Sequence, residues 1–227
     1  MGITSMEKIL IINKSKWILL IFVTLSIFMS CAAKANEVKN KSFASSITDK
    51  LKVPRVLLIG DSISIGYTLP VQEALAMKAV VHRPATNCQD TGKGLKYIDD
   101  WLGNVHWDVI HFNFGIHDIK IVRGVNNVPT EQYRKNLIAI VSKLKKTGAK
   151  LIWASTTPTP HRPIEDYIKY NLVAKEIMQK NNISINDLYE FVLPRLSKIQ
   201  IPSDSHFTQE GSKLIGEKVT LEITNVS

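Results

Sequence analysis

Short apolar runs recur along this chain, and each one stops at a small or polar residue. Val56-Leu57-Leu58-Ile59 stops at Gly60-Asp61-Ser62, Asp108-Val109-Ile110-His111-Phe112 leads to Gly115, and Leu151-Ile152-Trp153-Ala154 leads to Ser155. Runs this short without polar alternation fit strands buried on both faces. Between them lie segments with apolar residues at helical spacing. The pattern predicts strands over 56–59, 79–82, 107–114, 150–155 and 183–185. It predicts helices over 71–78, 94–102, 130–147, 164–180 and 208–220, with Thr130 and Thr208 as caps and Gly148 as a helix end. Strands that alternate with helices require a mostly parallel sheet with a helical layer on each face. The expected fold is therefore a three-layer α/β/α sandwich.

The region before this pattern reads differently. Lys8, Lys14 and Lys16 precede an uncharged stretch from Trp17 to Met29, and small residues follow through Ala35. A basic region, a short apolar core and small residues form the layout of an export signal, and the core is too short for a confident membrane span. Two processing outcomes stay open. Ala33-Lys34-Ala35 would direct cleavage before Asn36. Phe28-Met29-Ser30-Cys31 would make Cys31 a lipidated N-terminus and a point of membrane attachment, and this is the preferred reading. Residues 1–35 are thus read as a signal, 36–52 as a polar linker and 53–227 as the folded domain. The expected location is outside the cytoplasm: periplasmic, on the outer membrane or secreted.

Composition narrows the partners. The 227 residues are 44% hydrophobic and 22% charged, which suits one globular domain with appendages. The net charge of +9 is not gathered into a dense Lys/Arg block, so it reads as a solvated basic surface and not as a nucleic-acid site. Cys31 and Cys88 are the two cysteines. With Cys31 removed or acylated, Cys88 has no partner in the chain and reads as a small buried residue.

Ser62 stands where an apolar strand ends in a tight turn, the place where open α/β sheets hold their active sites. A serine there becomes a nucleophile when a base reaches it. Asp204-Ser205-His206, ahead of the final helix, offers that base and a carboxylate to orient it. In extended backbone, residues two apart point to one side, so Asp204 and His206 can share a face. Gly-x-Ser-x-Gly, the strand–turn–helix elbow of α/β-hydrolases, does not occur around Ser62 or Ser64. His111, His117 and Asp118 show no familiar metal-ligand spacing, and Gly92-Lys93-Gly94 does not complete a phosphate-binding loop. No metal and no cofactor are expected. Thr156 to Arg162 follows a strand and is expected at the same sheet edge as Ser62.

Three ordered blocks, Gly60-Asp61-Ser62, Gly115-Ile116-His117-Asp118 and Asp204-Ser205-His206, together resemble the SGNH (GDSL) hydrolases over residues 53 to about 219. The resemblance implies an ester hydrolase with Ser62 as nucleophile, His206 as base and Asp204 as its orienting carboxylate. The backbone N–H of Ser62 would be the first oxyanion donor. The second would come from a backbone N–H near Gln89, where the family has glycine, with Gly92 as the alternative. The third would come from His117, which occupies the family's asparagine position, or from Asn113. The implied substrates are small-molecule or polysaccharide esters, including O-acetyl groups on carbohydrate, and lipid esters. Two other readings of the same residues are an inactive carbohydrate-binding or envelope protein and an O-acyltransferase.

Overall fold

The computed structural model describes residues 53–160 and 162–226. The expected signal (1–35), the expected linker (36–52) and Cys31 lie outside the described residues. Five strands, β1 (Arg55–Ile59), β2 (Val80–His82), β3 (Val109–Phe112), β6 (Lys150–Ala154) and β7 (Ser184–Asn186), form one parallel sheet in the order β2-β1-β3-β6-β7. A separate antiparallel hairpin joins β4 (Ile121–Val122) to β5 (Val125–Asn126). The helices are α1 (Ser62–Ala74), α2 (Thr91–Leu102), α3 (Thr130–Lys145), α4 (Ile164–Lys180), α5 (Leu188–Val192), α6 (Leu196–Ile199) and α7 (Gln209–Val226).

The strand order dictates the layers. From β1 the chain first steps outward to β2, then reverses and proceeds through β3, β6 and β7. Right-handed crossovers place α1 on one face and α2, α3 and α4 on the other. α7 packs against α1, and α2, α3 and α4 pack side by side. The winding reverses between β1 and β3, so a crevice opens at their carboxyl ends. Val56, Leu58, Ile59, Val109, Ile110 and Phe112 are each fully buried in this sheet. Burial on both faces explains why these strands show no polar alternation.

Several boundaries differ from the sequence pattern. The first helix begins at Ser62 and ends at Ala74, whereas 71–78 was expected. Its buried positions, Ile63, Ser64, Tyr67, Thr68 and Val71, have helical spacing, but Ser64 and Thr68 hide the apolar stripe and Pro70 reads as a break. α2 begins at Thr91, because the Asp90 carboxylate accepts the Lys93 N–H and caps it. At α3 the expected cap Thr130 is instead the first helical residue, after Pro129, with no side-chain cap bond. Thr208 does cap α7: its Oγ1 accepts the Gly211 N–H at 3.0 Å. α7 then runs on to Val226, with Ile223 buried.

Candidate active site

Strand β1 delivers Ser62 directly to the start of α1. Gly60 permits the turn, since a Cβ at this position would come within 2.7 Å of Ser64 Cβ. Asp61 caps the helix, accepting the Ile63 N–H at 2.9 Å. Its carboxyl is buried, and loss of water pushes its pKa up to about 6, against hydrogen bonds from Ile63 and Ser64. Ser62, as the first helical residue, has no acceptor for its N–H among the described residues.

His206 arrives on a short loop ahead of α7. An antiparallel bridge between Gln200 and Phe207 closes that loop. Within it the Ile201 N–H donates to His206 O at 3.0 Å, and the Asp204 N–H donates to Ile201 O at 3.1 Å. Ser203 turns the chain with φ +58°. The backbone is therefore a tight turn and not the extended segment expected. Asp204 Oδ1 accepts both the His206 N–H, at 2.9 Å, and His206 Nδ1, at 2.6 Å. Those hydrogen bonds, the backbone one first, hold the Asp204 carboxyl below its ordinary pKa. On the other side of the ring, His206 Nε2 lies 2.9 Å from Ser62 Oγ. The structure thus brings Ser62, His206 and Asp204 into one hydrogen-bonded line, about half exposed to solvent at the histidine and aspartate.

The other predicted residues are placed as follows. Gln89 is exposed and left-handed, with φ +55°, in the region that favours glycine. Its N–H is donated to Asn87 Oδ1 at 2.9 Å. Gly92 lies in the first turn of α2, and its N–H has no acceptor among the described residues. The Asn113 side chain is buried and donates to Ala154 O at 2.8 Å, which braces β3 against β6. The His117 ring is half-buried and makes no hydrogen bond among the described residues. Burial first, then the Arg162 guanidinium, hold its pKa below the ordinary histidine value. A neutral imidazole of this kind retains an N–H that can be donated to a developing negative charge.

Asp118, next in sequence to His117, is held by the start of α2. Its buried Oδ1 accepts the Thr91 N–H at 3.0 Å and the Thr91 hydroxyl at 2.5 Å, pinning the start of α2 to the loop that follows β3. Asn136 Nδ2 donates to the same hydroxyl oxygen, and Gln132 Nε2 donates to Asn136 Oδ1. Burial pushes the Asp118 pKa up to about 7, against the two Thr91 bonds. His111 is a core residue on β3: its Nε2 meets Asn186 Nδ2 at 3.2 Å, and burial lowers its pKa to about 3. Cys88 is buried, and its N–H donates to Gly60 O at 3.2 Å beside the Ser62 turn.

The segment after β6 is bonded to two neighbouring parts of the chain. Thr156 Oγ1 donates to Phe114 O, Arg162 donates to Ile116 O, and Gln200 Nε2 donates to Pro158 O at 2.9 Å. It therefore links the end of β3 to the His206 loop. Its expected place at the sheet edge matches these contacts, while His161 lies outside the described residues. Sequence reasoning missed the bracing by Gln200 and Asn136, because a lone amide in a polar stretch carries no pattern.

No family model and no curated protein matches the chain by sequence. Its likeness is to solved structures. A lipase/acylhydrolase from Enterococcus faecalis superposes with a TM-score of 0.67 at 23% identity, covering 76% of this chain and 96% of that one. An acetyl xylan esterase superposes with a TM-score of 0.65 at 19% identity, covering 74% and 99%. A GDSL-like lipase from Bacteroides thetaiotaomicron gives 0.61 at 16%, covering 76% and 89%. The chain therefore has the fold of the SGNH (GDSL) hydrolases, as its three sequence blocks imply, and at these identities the likeness is one of fold.

Proposed function

We propose that this protein is a serine ester hydrolase of the SGNH type, acting through an acyl-enzyme on Ser62. The observation that carries the reading is the unbroken line from Ser62 Oγ through His206 to Asp204, with 2.9 and 2.6 Å steps. Serine at its ordinary pKa is a poor nucleophile, and a base within hydrogen-bond reach changes that.

His206 Nε2 takes the hydroxyl proton as Ser62 Oγ attacks the ester carbonyl carbon. The carbonyl oxygen becomes an oxyanion and is held by the Ser62 N–H, with the His117 ring as a further donor. The carbon–oxygen bond to the alcohol then breaks, and His206 Nε2–H returns the proton to the leaving oxygen. Water repeats the sequence on the Ser62 ester, releasing the acid and regenerating the hydroxyl. Asp204 holds Nδ1–H and so keeps Nε2 free to act as the base.

The likeness in fold to an acylhydrolase and an acetyl xylan esterase supports small acyl groups on carbohydrate, or lipid esters, as the substrate classes. The N-terminal layout supports export, with Cys31 lipidated as the membrane-attached form. The test is turnover of a series of 4-nitrophenyl esters from acetate to octanoate by the wild type and Ser62→Ala. Wild-type hydrolysis that is fastest on short chains and lost in Ser62→Ala is expected. Equal release by both proteins overturns the proposal.

A further inference from the structure

We propose a second interaction surface: the β4–β5 hairpin docks the domain onto an anionic lipid surface. The hairpin pairs Ile121 with Asn126 and Val122 with Val125. Its two-residue tip, Arg123-Gly124, has φ +52° and +83°, the arrangement of a tight hairpin turn. Residues 120–125 are all exposed. Among them Ile121 is 48%, Val122 40% and Val125 64% exposed, which is far from the burial such side chains favour.

The hairpin is held firmly at its root. Ile119 and Val128 are buried, the Val128 N–H donates to Asp118 O at 3.0 Å, and the Asn127 N–H donates to Lys120 O at 2.7 Å. Asn126 Nδ2 reaches the Tyr170 hydroxyl at 3.2 Å, so the Ile121–Asn126 face looks toward α4. The Val122–Val125 pair then lies on the opposite face, without a covering element among the described residues. Large apolar side chains exposed on a hairpin suit insertion into a soft interface.

Charge selects the lipid. Lys120 and Arg123 flank the apolar residues, and residues 119–130 contain no acid. Asp90, which meets the root of the hairpin at Asn127 Nδ2, also accepts the Lys93 N–H. Apolar side chains beside cations that form no ion pair among the described residues match a surface of anionic headgroups over acyl chains. The hairpin leaves the carboxyl end of β3, so docking would turn the sheet edge that holds Ser62 toward that surface. The inference does not depend on the chemistry of Ser62.

Hydrogen exchange of the full chain, read by mass spectrometry, tests it with phosphatidylglycerol vesicles against phosphatidylcholine vesicles. Exchange over 119–127 is expected to slow several-fold with phosphatidylglycerol, less at high salt, and not with phosphatidylcholine. Val122→Asp/Val125→Asp should lose that protection while β1 amides stay as protected as in the wild type. Three results overturn the proposal: no protection, equal protection by both lipids, or protection already complete without vesicles. The last would mean that the chain itself or a second copy covers the hairpin.

Discussion

Asp204 Oδ1 accepts two hydrogen bonds from His206, one from the ring at 2.6 Å and one from the backbone at 2.9 Å. One carboxylate oxygen therefore fixes both the loop and the tautomer of the ring. Asp204→Asn would keep the shape but not the charge, and its amide could turn an N–H toward Nδ1. The expected result is a fall in kcat of about 10²- to 10⁴-fold with little change in KM. Steady-state kinetics on 4-nitrophenyl acetate measure it. A fall of less than about threefold would show that Asp204 does not orient the base.

His117 and Asn113 should separate in kinetics. His117→Ala is expected to lower kcat about 10²-fold through loss of an oxyanion donor, and His117→Asn should recover most of it. Asn113→Ala instead leaves the Ala154 carbonyl without its 2.8 Å donor. It should cost about 1–3 kcal/mol of stability, read by denaturant unfolding. If Asn113→Ala folds normally and His117→Ala keeps its kcat, the donor assignment is reversed.

Gln89 occupies a backbone conformation that costs a residue with a Cβ about 1–2 kcal/mol. Gln89→Gly removes that strain but gives the unfolded chain more freedom, so a net gain of about 0.5–1 kcal/mol is expected. Thermal unfolding should show a rise of a few degrees. A fall would mean that the Gln89 side chain makes a stabilising contact.

Asp118 gives a pH prediction. Its pKa is pushed up to about 7 from an ordinary 3.8, so between those values the folded state binds more protons than the unfolded. Its contribution therefore favours the fold at low pH and is lost as pH rises toward 7. Asp118→Asn cannot ionise, yet its Oδ1 can still accept from Thr91. The melting temperature of the variant relative to wild type should be more favourable at pH 8 than at pH 4. An unchanged difference across that range contradicts the burial argument.

The sheet was legible because residues such as Val56, Leu58 and Ile110 are buried on both faces and therefore form unbroken apolar runs. The line from Ser62 to Asp204 was also legible, since strand ends and the last helix locate the residues that face the crevice. The start of α1 was not, because Ser64 and Thr68 occupy buried positions on its inner face. The hairpin was missed because Arg123-Gly124 is not a favoured pair for a turn with two positive φ angles. The Asp204–His206 turn was read as extended, because the left-handed Ser203 leaves no mark on the sequence. Asp118 was weighed as a metal ligand, and its hold on Thr91 shows only once α2 begins at residue 91.

The most direct measurement is the reaction with a fluorophosphonate, a reagent whose phosphorus is attacked by an activated serine with loss of fluoride, leaving a phosphonylated serine. Intact-mass and peptide-mapping spectra should show one adduct on Ser62. Labelling should be absent in Ser62→Ala and slowed at least about 100-fold in His206→Ala. Folded wild-type protein that stays unlabelled, or that is labelled at another serine, would contradict the account.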